Sequence, residues 1–117
     1  MAATVLIVDD HAMFRAMARR MLDAQGYDVV GEADTASAAV DAVTRLRPNI
    51  VLLDVQLPDR DGFAVAEQLA RGEVRPTVVL ISSRDASSYR QRLSDSPARG
   101  FLPKSELTAA AFSALVA

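Results

Sequence analysis

The sequence predicts an α/β protein, a five-stranded parallel sheet in strand order 2-1-3-4-5 with helices on both faces, a three-layer sandwich. Three observations carry that prediction. Five apolar runs, at residues 5–8, 29–30, 50–53, 78–81 and 101–102, alternate with longer stretches whose apolar residues recur at helical spacing. Such alternation requires crossovers between parallel strands. The longer runs lack polar alternation, as strands covered on both faces do. Finally, the first, third and fourth runs are the most continuously apolar and belong in the centre, which leaves the shorter second and fifth for the edges.

Each element has its own local reason. Val5-Leu6-Ile7-Val8 stops on Asp9-Asp10. From Ala12 to Gln25, Phe14, Met17, Ala18, Met21 and Leu22 fall on one helical face, and Gly26 is a natural stop. Val29-Val30 forms a short strand closing near Gly31. Thr35 offers an N-cap to a helix carrying Ala36, Ala39, Val40, Val43 and Leu46, which Pro48 forbids to continue. Ile50-Val51-Leu52-Leu53 is a solid apolar run ending on Asp54. After the loop Leu57-Pro58-Asp59-Arg60-Asp61-Gly62, a third helix turns Phe63, Ala66, Leu69 and Ala70 inward and ends near Gly72. Val78-Val79-Leu80-Ile81 stops on Ser82-Ser83. Residues 86–93 form a helix with few apolar anchors, Ala86, Tyr89 and Leu93, and sparse burial makes this the segment expected to move. Phe101-Leu102 precedes Pro103-Lys104. A last helix over 105–117 carries Leu107, Ala110, Ala111, Ala114 and Leu115, and the methionines read as core filling. The strand order is that of the flavodoxin-like architecture.

Bulk properties narrow the function. The 117 residues suffice for one domain spanning 1–117. Thirteen basic residues are scattered among fifteen acidic ones, net charge −2, which argues against direct nucleic-acid binding. With no cysteine, disulfides, thiol chemistry and Cys-based zinc sites are excluded. The N-terminus lacks a charged n-region and cleavage site, and no apolar run approaches membrane-spanning length, so a cytoplasmic protein without membrane contact is expected. Lys104 is the only lysine beside twelve arginines. A compact ammonium there does what a planar guanidinium does poorly.

Asp9 and Asp10 follow strand one, Asp54 strand three, Ser82 strand four and Lys104 strand five. All five therefore reach one end of the sheet, where open parallel sheets bind ligands. Converging carboxylates stay ionised together only beside a cation, and Mg²⁺ suits an all-oxygen site. A carboxylate facing Mg²⁺, flanked by a hydroxyl and a lone ammonium, is prepared to take a phosphoryl group, with Asp54 as nucleophile and an acyl phosphate as product.

Asp9-Asp10, Asp54, Ser82 and Lys104, with Phe101 three residues before the lysine and Leu57-Pro58 followed by Asp61-Gly62, resemble a response-regulator receiver domain of two-component signalling over the whole chain. The resemblance implies that Asp54 accepts the phosphoryl group from a sensor histidine kinase or histidine phosphotransfer protein. On the same resemblance, Asp9, Asp10, Asp54 and the backbone carbonyl of Gln56 are expected to hold Mg²⁺, Lys104 and Ser82 to contact the phosphoryl oxygens, and Ser82 and Phe101 to form the switch. The surface of the fourth helix, fifth strand and fifth helix then addresses a downstream protein partner, an attached effector domain or a second copy in a homodimer. The only chemistry implied is the chain's own phosphorylation and dephosphorylation, so it is not expected to be an enzyme.

Two positions depart from the family pattern. Proline precedes Lys104 and Ser105 follows it, so the bond after Lys104 is either cis without proline or part of a different loop. Ser82 stands where threonine is commoner. His11 reads as structural, since adjacent side chains usually point apart.

The span from Met1 to an Ala-rich helix fits a stand-alone protein. The alternative is the excised regulatory domain of a DNA-binding regulator similar to the nitrate-response family, suggested by Asp9-Asp10-His11 and Gly100-Phe101-Leu102-Pro103-Lys104-Ser105. No helix-turn-helix effector lies in these residues. A Mg²⁺-dependent phosphohydrolase on a similar sheet would want an acid two residues after its nucleophile, where Gln56 stands.

Overall fold

Strands β1 (Thr4–Val8), β2 (Asp28–Ala33), β3 (Ile50–Asp54), β4 (Thr77–Ser82) and β5 (Gly100–Pro103) pair in the order β2-β1-β3-β4-β5, every pair parallel. This is a computed structural model, and it describes residues 2–117. The helices are α1 (Ala12–Ala24), α2 (Ala36–Leu46), α3 (Gly62–Ala70), α4 (Arg90–Asp95) and α5 (Ala109–Val116). The predicted architecture and strand order are the observed ones.

The strand period of two divides the core between the faces. Val5, Ile7, Leu52, Val79 and Ile81 point to a layer closed by Ala18 and Leu22 of α1 and Phe112 of α5. Leu6, Val8, Val51, Leu53 and Leu80 point the other way, to Ala39 and Val43 of α2 and Phe63, Ala66 and Leu69 of α3. All of β3 is buried, whereas β5 is only half-buried along its length. Burial thus follows position in the sheet, the property that the apolar runs reported.

Local signals set the helix ends. Thr35 accepts the Ala38 N–H at 3.0 Å and starts α2. Asp59, in the loop after β3, accepts the N–H groups of Ala36 and Ser37 at 2.8 and 3.0 Å, which holds its carboxyl below the usual aspartate range. Gly26 takes φ +89°, the left-handed conformation that closes α1. On the sheet's outer rim, Glu32 of β2 is clasped by Arg15 and Arg19 of α1, each at 2.8 Å. Burial opposes ionisation of Glu32, but the two guanidiniums outweigh it and its pKa falls.

Several elements differ from expectation. Strand β2 has six residues rather than two, because parallel pairing with β1 recruits polar positions that the apolar run could not reveal. The fourth helical segment is broken: residues Ala86–Ser88 make a 3₁₀ turn, Tyr89 leaves helical geometry, and α4 begins at Arg90. Ala86 is exposed, so Tyr89 is the segment's buried anchor. Residues Lys104–Glu106 likewise form a 3₁₀ turn, and α5 starts only after Thr108, which caps it through the Ala111 N–H at 3.1 Å. The expected stripe on α5 is corrected: Ala110 and Ala114 are exposed, and fully buried Phe112 is the anchor. The Tyr27 ring meets Phe112 edge-on at 5.2 Å, and a buried phenyl stabilises by about 2–3 kcal/mol. The methionines are not uniformly core, since Met13 is 88% and Met17 38% exposed on α1.

Candidate functional site

Register brings the polar residues to one edge. Val8 lies beside Leu53, Asp54 beside Ile81 and Ser82 beside Pro103. The next residue of β1 is Asp9 and the residue after Pro103 is Lys104, so four strands deliver one row of side chains. The loop beyond Asp54 is pressed close by α3. A Cβ on Gly62 would overlap the Asp54 carbonyl oxygen and stand 2.8 Å from Val55 Cα. The Gly62 N–H instead donates to the Val55 carbonyl at 2.7 Å.

Asp9 and Asp54 are 0% and 2% exposed. Lys104 Nζ lies 2.6 Å from Asp9 Oδ2 and 3.4 Å from Asp54 Oδ2, and sits 4.6 Å from the centre of the Phe14 ring. Asp54 Oδ1 accepts the Gln56 N–H at 3.0 Å. The Asp54 pKa is raised, first by burial and then by the Asp9 charge, against the opposing pull of the Gln56 N–H and Lys104. One ammonium therefore serves two buried carboxylates and leaves negative charge undercompensated.

That surplus suits a divalent cation. Carboxylate oxygens of Asp9, Asp10 and Asp54 and a ring nitrogen of His11 all lie within 4.8 Å of one another. Buried Asp9 Oδ2 makes an ionic contact with Lys104 but accepts no hydrogen bond. The three carboxylates of this set suit a hard cation with oxygen ligands.

His11 corrects the expectation that neighbouring side chains diverge. Its Nδ1 lies 2.9 Å from Asp9 Oδ1 and 3.1 Å from Asp10 Oδ1, while its N–H donates to Asp9 Oδ1 at 2.8 Å. The chain turns into α1 here with His11 as the N-cap residue, and this folds three consecutive side chains onto one spot. Gln56 is exposed, and its side-chain oxygen accepts the Ser83 hydroxyl at 3.5 Å. The peptide bonds of the described residues are all trans, so Lys104-Ser105 belongs to a different loop, the 3₁₀ turn.

Ser82 is fully buried, but its hydrogen bonds run to the α4 side. Its Oγ accepts the Arg84 N–H at 3.1 Å and lies 2.9 Å from the Tyr89 hydroxyl. Phe101 is half-buried, its ring 5.8 Å from that of Tyr89. Sequence reasoning took Tyr89 for an apolar anchor and gave its hydroxyl no partner; a lone tyrosine on an anchor-poor segment was the available signal. It also missed Arg92, which reaches Asp61 at 2.7 Å and stacks 4.4 Å above the Phe63 ring.

A buried aspartate at the C-terminal rim of a parallel sheet, beside a lone ammonium and further acids that suit a cation, defines a class of signal-receiving domain. The chain belongs to the response-regulator receiver family: the family profile, described as "Response regulator receiver domain", matches residues 5–115. It is 37% identical over 102 residues to the transcriptional regulatory protein PdtaR of Mycobacterium tuberculosis, covering 86% of this chain and 48% of that protein. The DNA-binding transcriptional activator EvgA of Escherichia coli is 30% identical over 101 residues, covering 86% of this chain and 50% of EvgA. Among solved structures, the receiver domain of the putative response regulator NarL from Mycobacterium tuberculosis superposes with TM-score 0.84 at 33% identity, covering 97% of this chain and 96% of that one. The chain spans about half the length of PdtaR and EvgA.

Proposed function

We propose that this receiver takes a phosphoryl group on Asp54 from a sensor histidine kinase or histidine phosphotransfer protein. The carrying observation is Lys104, whose ammonium reaches both Asp9 and Asp54 from the far end of the chain. In the proposed step an Asp54 carboxylate oxygen attacks phosphorus, the bond from phosphorus to the donor's imidazole nitrogen breaks, and that nitrogen keeps the electron pair. Lys104 neutralises charge gathering on a phosphoryl oxygen, and Ser82 donates its hydroxyl hydrogen to another. Asp9, Asp10, Asp54 and the Gln56 carbonyl would hold Mg²⁺, which when bound supplies further charge neutralisation on the phosphoryl oxygens. The acyl phosphate adds close to two negative charges and shifts the population between two conformations. Phe101 follows Ser82, and the surface of α4, β5 and α5 changes its affinity for a downstream partner, an attached effector domain or a second copy. The cytoplasm, where phosphodonor and Mg²⁺ are available, is the proposed location.

Incubation with Mg²⁺ and acetyl phosphate tests the reading. One phosphoryl mass should appear on Asp54 and be absent from Asp54→Asn; labelling elsewhere, or none, would sink it.

A second reading is favoured by the length and names of PdtaR and EvgA. The chain would then act as the regulatory half of a DNA-binding transcriptional regulator, with nucleic-acid contact made by residues outside these 117. The extent of the open reading frame decides between this and a stand-alone role.

A further inference from the structure

The phenol within reach of Ser82 comes from the α4 side of the domain. The β5 aromatic is Phe101, which has no hydroxyl. Tyr89, 7% exposed, supplies it at 2.9 Å, and is the one buried residue among positions 83–99. Its ring stands between Phe63 at 5.5 Å and Phe101 at 5.8 Å, both edge-on. Helix α4 itself buries no residue, and Leu93 is only half-buried against the same core, so this ring is the buried contact nearest to it.

We propose that Tyr89 is a positioning residue: its hydroxyl retains the Ser82 hydroxyl in the β4–α4 corner, and phosphoryl reception at Asp54 requires that bond to be exchanged. The proposal rests on the reading of Asp54 as phosphoacceptor and Ser82 as a ligand of the phosphoryl group. Whichever of the two hydroxyls donates, the Arg84 N–H and the Tyr89 hydroxyl together hold the Ser82 Oγ on the α4 side. When Ser82 moves to donate toward a phosphoryl oxygen, Tyr89 loses its partner. A buried phenol left unpaired is penalised, so the ring follows or leaves. Either movement carries α4 and disturbs Phe101, which makes Tyr89 the link from the site to that surface.

The test titrates the full chain with beryllofluoride and Mg²⁺, a stable phosphoryl mimic, in wild type, Tyr89→Phe, Ser82→Ala and the double variant. Tyr89→Phe should bind the mimic about three- to tenfold more tightly, because release of Ser82 is no longer opposed. In the Ser82→Ala background the same change should give no gain. Equal affinity of Tyr89→Phe and wild type, or a gain that persists without Ser82, overturns the proposal; a purely packing role for the ring predicts those results. Amide exchange in wild type needs no variant: binding of the mimic should speed exchange across α4 several-fold, and unchanged exchange also overturns the proposal. Absence of mimic binding in wild type would instead remove the phosphoacceptor reading, and this inference with it.

Discussion

Lys104 and Asp9 meet with Nζ 2.6 Å from Oδ2, although β1 and β5 are not neighbours in the sheet. The ammonium crosses above β3 and β4 to reach a carboxylate that is fully buried. Removing it as Lys104→Met leaves Asp9 and Asp54 without a cation. Breaking a buried pair from one side is strongly destabilising, and with Lys104 partly exposed the expected loss is about 2–3 kcal/mol at neutral pH. Urea unfolding in EDTA measures it, and Mg²⁺ should restore part of the loss.

The raised pKa of Asp54 fixes a sign. The folded protein holds the Asp54 proton more tightly than the unfolded chain does, so this group's contribution is present below the ordinary aspartate pKa and lost as pH rises through the raised one. Asp54→Asn should therefore melt higher than wild type at neutral pH in EDTA, by about 4 °C for each kcal/mol gained. Melting curves from about pH 3.5 to 8 span the ordinary aspartate pKa, and the advantage should vanish at the acid end. A constant difference across that range would contradict the charge explanation.

Metal should act in the opposite direction. If Asp9, Asp10 and Asp54 bind Mg²⁺, saturation at about a hundred times Kd adds about 2.7 kcal/mol to stability. The gain should disappear in Asp9→Asn and on adding a chelator. A scan of melting temperature against Mg²⁺ reads this without any phosphodonor.

Gly62 offers a purely steric test. An added methyl collides with the backbone on either side of the Asp54–Val55 peptide, neither of which is the flexible end of a side chain. Gly62→Ala should cost about 1–3 kcal/mol and weaken Mg²⁺ binding by displacing Asp54.

Asp61 caps α3 through the Ala64 N–H at 2.9 Å and pairs with Arg92 of α4, and these contacts outweigh partial burial to lower its pKa. Asp61→Ala should cost about 1 kcal/mol as a lost cap. Arg92→Ala should leave the cap intact and loosen only α4, a contrast that amide exchange resolves.

The sheet was legible because its central strands are unbroken apolar runs; Asp9 and Asp54 were legible because each follows such a run, and Lys104 because it is the only lysine and follows the short fifth run. What escaped depends on contacts that no periodicity encodes. The extension of β2 follows from pairing with β1, and Phe112 rather than the alanines anchors α5 because only its ring fills the space beside Tyr27. His11 joins the acidic cluster through a turn at the start of α1, and the hydroxyl of Tyr89 finds Ser82 across a helix break that spacing alone reads as continuous helix.

The outer strand bears on how this domain behaves at high concentration. An uncovered strand border invites a stranger's backbone to zip onto it. Here Glu32 is already committed to two guanidiniums, and the β1–β2 register shifts between Val5 and Leu6. An incoming chain would meet a buttressed charge and an uneven template there, features that disfavour fibrillar self-association along the β2 border.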